Sequence, residues 1–308
     1  EGGIVMNKKV ALSIEGLKVR YGSIEAIKGI NIDVCEGSVV ALLGANGAGK
    51  TTTFRMIMGL LEPDKGKITL DGKKIDYKVT DKIGFVTEER SLLTKLTVKE
   101  MIEYYGVLKG MDESNIDKKL DYWLEKFEIT EYKNKKIKEL SKGNQQKIQF
   151  ISAIINDPKL LILDEPFTGL DPINVNLLKD AVKELQKKGC SIIFSSHQME
   201  YIEDFCEQLI ILVHGRAILN GSLDEIKENY AKKNIIIKAD DLDIDAIKKI
   251  KGVIDVEQKA NEVVVHIEDI SISKSVFDIV KDKYVTKYVV ADAPLNEIFI
   301  HYVGGKDE

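Results

Sequence analysis

Residues 44–51, GANGAGKT, have the composition and spacing of a loop that binds phosphate groups. They fit the pattern G-x-x-x-x-G-K-[S/T] and lie between the apolar run 39–44 and a predicted helix beginning TTTFRMIMGL. Glycines let backbone N–H groups surround phosphates, and a helix N-terminus favours anions. In this pattern Lys50 reaches the β- and γ-phosphates and the Thr51 hydroxyl ligates Mg²⁺. A chance glycine-rich turn is the alternative, but the context favours nucleotide binding.

Two adjacent carboxylates, Asp164 and Glu165, end the apolar run KLLILDEP at 159–166. If this run is a buried strand, both acids lie at the carboxyl edge of the sheet, beside the phosphate loop. Asp164 is suited to orient a metal, and Glu165 is placed to polarise a water that attacks the γ-phosphate. A solvated acidic turn is the alternative, but it does not explain why acids close a buried strand.

His197 ends a third apolar run, CSIIFSSH at 190–197. A lone histidine is more often structural than catalytic. Its predicted location at the same sheet edge as Lys50 and Glu165 favours a functional role.

The elements that must position these residues follow from the apolar pattern. Continuous apolar runs indicate parallel strands buried on both faces, so the three runs predict an α/β sheet covered by helices. Residues 91–157 have helical periodicity instead. Near their end, LSKGNQQKIQF at 140–150 predicts a helix with Ser141 as N-cap and Ile148, Ile151 and Ile155 on its buried face.

The pattern changes at about residue 220. The remaining segments read strand, helix, strand, strand, helix, strand, followed by the helical LNEIFIHYV. This order predicts an α+β ferredoxin-like domain over 221–308, with a regulatory or dimer-stabilising role. His266 and His301 fall in it without a catalytic constellation, and we interpret both as structural.

Composition excludes several classes of protein. The net charge of −5 and pI near 5.6 give no broad footprint for nucleic acid, so no direct nucleic-acid binding is expected. Apolar runs such as 209–213 are far shorter than the roughly 20 residues that cross a bilayer. The scattered Cys35, Cys190 and Cys206 indicate reduced packing residues in a cytoplasmic protein. Residues 1–5 resemble no signal peptide, and we interpret them as a non-native addition before Met6.

Five motifs occur together in one order and spacing: GANGAGKT, LSKGNQQ, LLILDEP, TGLDP at 168–172 and SSH at 195–197. In this respect the chain resembles the ATP-binding-cassette (ABC) ATPases over residues 10 to about 220. It is most similar to the ATP-binding subunits of export-type transporters related to sodium and drug efflux systems. The resemblance implies a P-loop NTPase fold of the ABC type over 6–220, a helical subdomain at about 91–157, and hydrolysis of ATP with Mg²⁺.

In such ATPases two copies, or two paired subunits, meet head to tail with each ATP between them. The resemblance implies that Glu165 is the general base and that His197 contacts the γ-phosphate. Lys50 and Glu88 complete the implied catalytic residues. The implied metal ligands are Thr51, Asp164 and Glu88. Tyr21 would stack on adenine, Thr52 would contact the α-phosphate, and Asp171 would link the two copies. The complete set of implied nucleotide contacts is Tyr21, Gly44, Ala45, Asn46, Gly47, Ala48, Gly49, Lys50, Thr51, Thr52, Ser141, Gly143 and Asp171.

Two positions depart from the family pattern. After IGFV at 83–86 the family usually has a glutamine, whereas this chain has TEE, which places Glu88, or alternatively Glu89, there. A glutamate can ligate a hard cation but adds negative charge beside the γ-phosphate. The signature reads LSKGN instead of LSGGQ; it keeps Ser141 and Gly143, and Lys142 either faces the opposing ATP or points to solvent.

The resemblance also implies a partner, an integral membrane permease that carries the transported molecule, with this chain at the cytoplasmic face of the membrane. Segment 90–105, with Leu92, Leu93, Leu96 and Tyr104, is the candidate docking surface, although any of these can equally be subdomain core. A soluble ABC ATPase acting on ribosomes or nucleic acid is the alternative; the single phosphate loop and the absence of heptads disfavour it. A GTPase or small-molecule kinase would leave LSKGN and SSH unexplained. The resemblance also implies that the contacts with the transported substrate lie in the permease.

Overall fold

The computed structural model describes residues 9–89, 91–230 and 232–304. It divides into two compact units, with the boundary between Asn220 and Gly221. Residues 1–5, interpreted above as an addition, lie outside the described residues. Among the residues described, no helix is both long and apolar enough to cross a membrane.

A six-stranded sheet forms the centre of the first unit. Its strands are β3 (Val39–Leu43), β6 (Ile83–Val86), β7 (Leu160–Asp164), β8 (Ser191–Ser195), β9 (Gln208–Val213) and β10 (Arg216–Ser222). They pair in the order β10-β9-β3-β8-β7-β6, and the pairs among β6, β7, β8, β3 and β9 are parallel. Every residue of β3, β7 and β8 is buried, which explains their uninterrupted apolar sequence. The predicted α/β sheet is confirmed, and its three predicted strands are direct neighbours.

A second sheet in this unit is antiparallel and was not predicted from the sequence. Its strands β1 (Val10–Tyr21), β2 (Ile24–Cys35), β4 (Lys65–Leu70) and β5 (Lys73–Lys74) pair in the order β2-β1-β4-β5. The β1–β2 register shifts at several points, including between Ile14 and Leu17. Such irregularities break the alternation of apolar and polar residues by which a strand is recognised.

In the described part of the first unit there are seven α-helices: α1 (Lys50–Ile57), α2 (Tyr77–Thr80), α3 (Val98–Leu108), α4 (Glu113–Lys126), α5 (Lys142–Ile154), α6 (Pro172–Lys187) and α7 (Met199–Phe205). Residues 91–157 contain α3, α4, α5 and two 3₁₀ turns. As predicted, Ser141 caps α5, since its side chain accepts a hydrogen bond from the Asn144 N–H, and Ile148, Ile151 and Ile155 are fully buried. The Tyr122 hydroxyl donates to Glu184 Oε1 at 2.6 Å and ties α4 to α6.

The second unit has the predicted ferredoxin-like order. Its strands β11 (Lys233–Ala239), β12 (Val253–Gln258), β13 (Val263–Ile267) and β14 (Val285–Asp292) pair antiparallel in the order β12-β13-β11-β14. Helices α9 (Ile244–Lys248) and α10 (Ile272–Val280) contribute Ile247 and Val276 to its apolar core. Helices α8 (Leu223–Asn229) and α11 (Leu295–Gly304) flank this arrangement, and α8 was not predicted.

Candidate functional site

The phosphate-loop segment lies between β3 and α1, and two of its glycines are required by close contacts. At Gly49, φ is +110°, and an added Cβ would lie 2.5 Å from Ile27 Cδ1. At Gly44, an added Cβ would lie 2.6 Å from the Leu212 carbonyl oxygen. Larger residues at these positions would clash with Ile27 of β2 and Leu212 of β9, so the two glycines let the loop pass close to both strands.

The first two residues of α1 project polar groups at this loop. Lys50 Nζ donates to the carbonyl oxygens of Gly44 at 2.5 Å and Ala45 at 3.4 Å. The Thr51 hydroxyl donates to Asp164 Oδ2 at 3.4 Å, across 113 residues of sequence. The loop and the carboxyl end of β7 therefore form one site.

Ser195 organises the two carboxylates at the end of β7. Its hydroxyl donates to Asp164 Oδ1 at 2.7 Å and accepts from the Glu165 N–H at 3.1 Å. Glu165 adopts a left-handed backbone with φ of +52°, unusual for a residue with a side chain. This conformation, fixed by Ser195, turns the chain at the sheet edge and separates the environments of the two acids.

Glu165 and His197 face each other. His197 Nε2 lies 3.1 Å from Glu165 Oε1, and the His197 backbone N–H donates to Glu165 Oε2 at 3.3 Å. The Glu165 side chain is 7% exposed and that of His197 is 60% exposed. Burial raises the pKa of the Glu165 carboxyl, although the charge of His197 opposes this shift. A buried carboxyl with a raised pKa beside a cavity has the character of a general base.

These residues line a cavity of about 340 Å³. Burial lowers the pKa of the Lys50 ammonium, and three nearby carboxylates oppose the shift, those of Glu165, Asp164 and Glu88. Glu88 therefore lies within electrostatic range of the phosphate loop and lines the cavity, whereas Glu89 does not. The lining residues are Ala26, Asn46, Gly47, Gly49, Lys50, Thr51, Thr52, Glu88, Asp164, Glu165 and His197.

Seven of the residues assigned to the nucleotide by resemblance do not line this cavity. Three of them, Gly44, Ala45 and Ala48, belong to the phosphate-loop segment itself, and the other four lie elsewhere in the chain. Tyr21 ends β1 with 48% of its surface exposed. Ser141 and Gly143 open α5, and an added Cβ at Gly143 would lie 3.5 Å from the side-chain amide of Asn174 in α6. Asp171 caps α6, since its side chain accepts a hydrogen bond from the Asn174 N–H at 3.0 Å. This hydrogen bond is the largest cause of the lowered pKa of the Asp171 carboxyl. The starts of α5 and α6 thus form a second surface, separate from the cavity lining.

The donor set of the cavity fits a magnesium ion held jointly with phosphate oxygens. Within the described parts of the chain, no group of three or more His, Cys, Asp or Glu side chains could hold a metal by itself. Mg²⁺ in phosphate sites usually takes only one or two carboxylates and completes its octahedron with water and phosphate. The oxygens of Thr51 and Asp164, 3.4 Å apart, match that requirement, with Glu88 on the same cavity wall.

Sequence reasoning missed two contributors to the site. Ser195 is fully buried; it belongs to the SSH motif at 195–197, but the sequence assigned a role only to His197 of that motif. Ala26 lines the cavity from β2, in the sheet that was not predicted, and its sequence gave no signal.

A second cavity, of about 790 Å³, lies in the same unit and is called here the groove. It is bounded by the segment after α1 with Leu60, by Thr87 and Ser91, by Tyr105 of α3, and by α5 with Gln149. The four predicted docking residues, Leu92, Leu93, Leu96 and Tyr104, do not line it. Segment 91–105 instead contributes Ser91 and Tyr105, because α3 turns Tyr105 toward the groove while Tyr104 is 51% exposed elsewhere.

The buried parallel sheet, the phosphate loop and the acids at its carboxyl edge define an α/β P-loop nucleotide hydrolase. Residues 27–168 match the model of the ABC transporter family, and residues 221–303 match the C-terminal domain of DrrA1-3-like ATP-binding proteins. The chain is 46% identical over 294 residues to the uncharacterized ABC transporter ATP-binding protein YhaQ of Bacillus subtilis (strain 168), covering 95% of this chain and 98% of that protein. It therefore belongs to the ATP-binding proteins of ABC transporters and is an ATPase.

Two further similarities bear on how the chain works. The Nod factor export ATP-binding protein I of Rhizobium sp. (strain N33) is 34% identical over 231 residues, covering 74% of this chain and 76% of that protein. The dimeric post-hydrolysis structure of the ATP-binding cassette MJ0796, bound to ADP and Pi, has a TM-score of 0.63 at 26% identity. That similarity covers 69% of this chain and 98% of MJ0796.

Proposed function

We propose that two copies of this chain enclose ATP with Mg²⁺ between them, and that hydrolysis there drives a membrane permease that exports its substrate. The observation that carries this proposal is the division of the site. One cavity holds the phosphate loop, Asp164, Glu165 and His197, while Ser141 and Gly143 lie on a separate surface of the same chain. A second copy brings its Ser141 surface to the open side of the cavity, as the dimeric state of MJ0796 supports.

Each group has a role that follows from its position. Lys50 and the loop N–H groups bind the β- and γ-phosphates. Thr51, Asp164 and Glu88 would hold a magnesium ion beside them. When bound, that ion neutralises charge on the phosphate oxygens. Glu165 accepts a proton from the attacking water, and His197 orients Glu165 and reaches the γ-phosphate. Tyr21 stacks on the adenine, and Asp171 contacts the opposing copy.

Ser141→Ala is expected to weaken ATP-driven dimerisation while leaving ATP binding to the single chain nearly unchanged. The hydroxyl caps α5 and, in the dimer, also contacts the opposing γ-phosphate, so its loss removes a charge-assisted hydrogen bond. We expect the dimer dissociation constant to rise about tenfold. Analytical ultracentrifugation with MgATP measures it, in a background where hydrolysis is slow.

Ser222→Ala is the matched control for this variant. Ser222 caps α8 by accepting from the Glu225 N–H, so the substitution removes an equivalent cap in the other unit. It should cost about 1 kcal/mol of helix stability without affecting dimerisation. If Ser141→Ala dimerised as the wild type does, the shared site would be wrong.

The groove is the proposed docking surface for the permease. It combines apolar and polar walls around an open cavity, and the loop after β6 that carries Glu88 forms its edge at Thr87 and Ser91. A short helix of the permease seated there would touch the loop that enters the nucleotide cavity. Similarity to an export ATP-binding protein supports the direction of transport.

Leu60→Arg is expected to abolish co-purification with the permease from detergent-solubilised membranes of the source cells. Leu60 lines the groove and is 71% exposed, so an arginine blocks the groove without disturbing the core. Ile24→Arg, at a position 69% exposed and outside the groove, is the matched control and should retain the permease. The partner should have about six apolar spans of roughly 20 residues each. Recovery with ribosomes and never with membranes would instead support the soluble alternative.

We assign different functions to the two units. We assign residues 6–220 to the ATPase domain, with the helical subdomain at about 91–157, and residues 221–308 to an accessory, regulatory domain. Association with the permease places the chain at the cytoplasmic face of the membrane.

A further inference from the structure

Gln149 makes an unusual set of contacts for a residue in the middle of a helix. It lies on α5 with only 4% of its surface exposed. Its Nε2 atom donates to Thr87 Oγ1 at 2.9 Å, to the Thr87 carbonyl oxygen at 3.1 Å and to the Glu89 carbonyl oxygen at 3.5 Å. These acceptors are 60 and 62 residues away in sequence. The side chain therefore attaches α5 to the loop after β6.

The direction of the Gln149 amide is set by its surroundings. The carbonyl oxygens of Thr87 and Glu89 can only accept hydrogen bonds, so a reversed amide would place Oε1 against two other oxygens. In the observed direction, Oε1 is buried and has no hydrogen-bond partner among the described residues. The loop is therefore bound by the NH₂ group of the Gln149 amide. Burying Oε1 without a hydrogen bond lowers the free energy of unfolding, so this arrangement is kept at a cost in stability.

The attached loop carries Glu88 into the nucleotide cavity. Gln149 bonds to both residues that flank Glu88, and the Thr87 hydroxyl also donates to the Glu89 carbonyl oxygen. Thr87 and Gln149 line the groove, whereas Glu88 lines the nucleotide cavity. Ser141, the N-cap of the same helix, lies about 12 Å away along its axis, on the surface assigned to the opposing ATP.

We propose that Gln149 is a positioning residue for ATP hydrolysis, which holds the 87–89 loop so that Glu88 faces the phosphate loop. Through this attachment the position of Glu88 depends on the position of α5. Because α5 lines the groove and has Ser141 as its N-cap, Glu88 is linked to both of those surfaces. This inference rests on the proposed role of Glu88 in the nucleotide site. It does not require Gln149 to touch the nucleotide.

The first test is Gln149→Leu in the full chain, assayed for steady-state ATP hydrolysis. Leucine keeps most of the side-chain volume but has no donor, so the loop loses its attachment. We expect kcat to fall about tenfold and KM for ATP to stay within about twofold, because the phosphate loop is unaffected. Asn156→Leu is the matched control. Asn156 follows α5 and donates its side-chain amide to the Asp81 carbonyl oxygen at 2.7 Å, away from the loop, and its kcat should remain that of the wild type.

The second test separates positioning from general packing by pH. Gln149→Glu keeps the shape but, when ionised, presents oxygens to the Thr87 and Glu89 carbonyl oxygens. When protonated, the carboxyl can donate to one of them, and burial among acceptors raises its pKa. The kcat of Gln149→Glu relative to wild type should therefore rise as pH falls from about 8 to about 6, whereas the ratio for Gln149→Leu should stay flat.

Three outcomes decide the inference, with thermal unfolding used to confirm that each variant is folded at the assay temperature. Thr87→Val removes one acceptor, and its effect should not add to that of Gln149→Leu, since both break the same attachment. If the Gln149 variants keep wild-type kcat at every pH while Glu88→Gln changes it, the positioning role is wrong and the role of Glu88 stands. If Glu88→Gln itself leaves kcat unchanged, the assignment of Glu88 under the proposed function fails instead.

Discussion

Glu165→Gln is expected to lower kcat for ATP hydrolysis by about 10²- to 10⁴-fold, the usual contribution of a positioned general base. The amide keeps the size of the side chain and its contact with the His197 N–H but cannot accept a proton from water. The affinity for ATP should change little, since Lys50 and the loop remain. The variant should therefore accumulate as an ATP-bound dimer, visible by analytical ultracentrifugation, while phosphate release measures kcat.

The raised pKa of Glu165 predicts the pH dependence of the wild type. Only the ionised carboxylate accepts a proton, so kcat falls as pH drops through the folded-state pKa, which lies above the ordinary value of 4.5 because of burial. The residual kcat of Glu165→Gln should not show this decrease at low pH, because the variant has no carboxyl to protonate at this position. Glu125→Gln, at an exposed position on α4, is the control and should match the wild type. Full turnover by Glu165→Gln would remove this residue from the role of base.

Lys50→Met is expected to raise the dissociation constant for MgATP by about 100-fold, since hydrogen bonds to charged groups contribute roughly 1.5–3 kcal/mol each. In the chain itself, Lys50 Nζ bonds only to the Gly44 and Ala45 carbonyl oxygens within the described residues, and burial already lowers its pKa. Removing this partly buried charge should therefore leave thermal stability nearly unchanged. Isothermal titration calorimetry with ATP in the presence of Mg²⁺ provides the measurement.

Arg55→Met is the matched control for the loss of positive charge. Arg55 lies on the same helix, is exposed, and does not line the cavity. Its dissociation constant for MgATP should stay within about threefold of wild type. An equally small change in Lys50→Met would show that the phosphate loop does not use this lysine to bind ATP.

The sequence alone was sufficient for site residues that are contiguous, and for those that end a parallel strand and so lie at the carboxyl edge of the sheet. Residues 44–51 are contiguous, so their loop and the start of α1 follow from glycine positions and helix geometry. Asp164 and His197 end apolar runs, and the carboxyl ends of parallel strands meet at one edge. The structure brings Asp164 and His197 together with five residues of this loop in one cavity, with Glu88 rather than Glu89 on its wall.

Contacts between distant segments were decided only by the tertiary structure. Ser195 bridges Asp164 and the Glu165 N–H because β7 and β8 pair with Asp164 opposite Ser195, a register that neither run specifies by itself. The antiparallel sheet and Ala26 were missed because bulges obscure its alternation.

Gln149 shows the same limit most directly. In sequence it is one polar residue on an apolar helix face; in the fold it holds a loop 62 residues earlier. A hydrogen bond depends on where two backbones pass each other, and that is set by the packing of the whole unit. The residues of this protein thus determined by themselves that it binds and hydrolyses a nucleotide, whereas the packing decided which side chains orient that site and which surface, the groove, adjoins it.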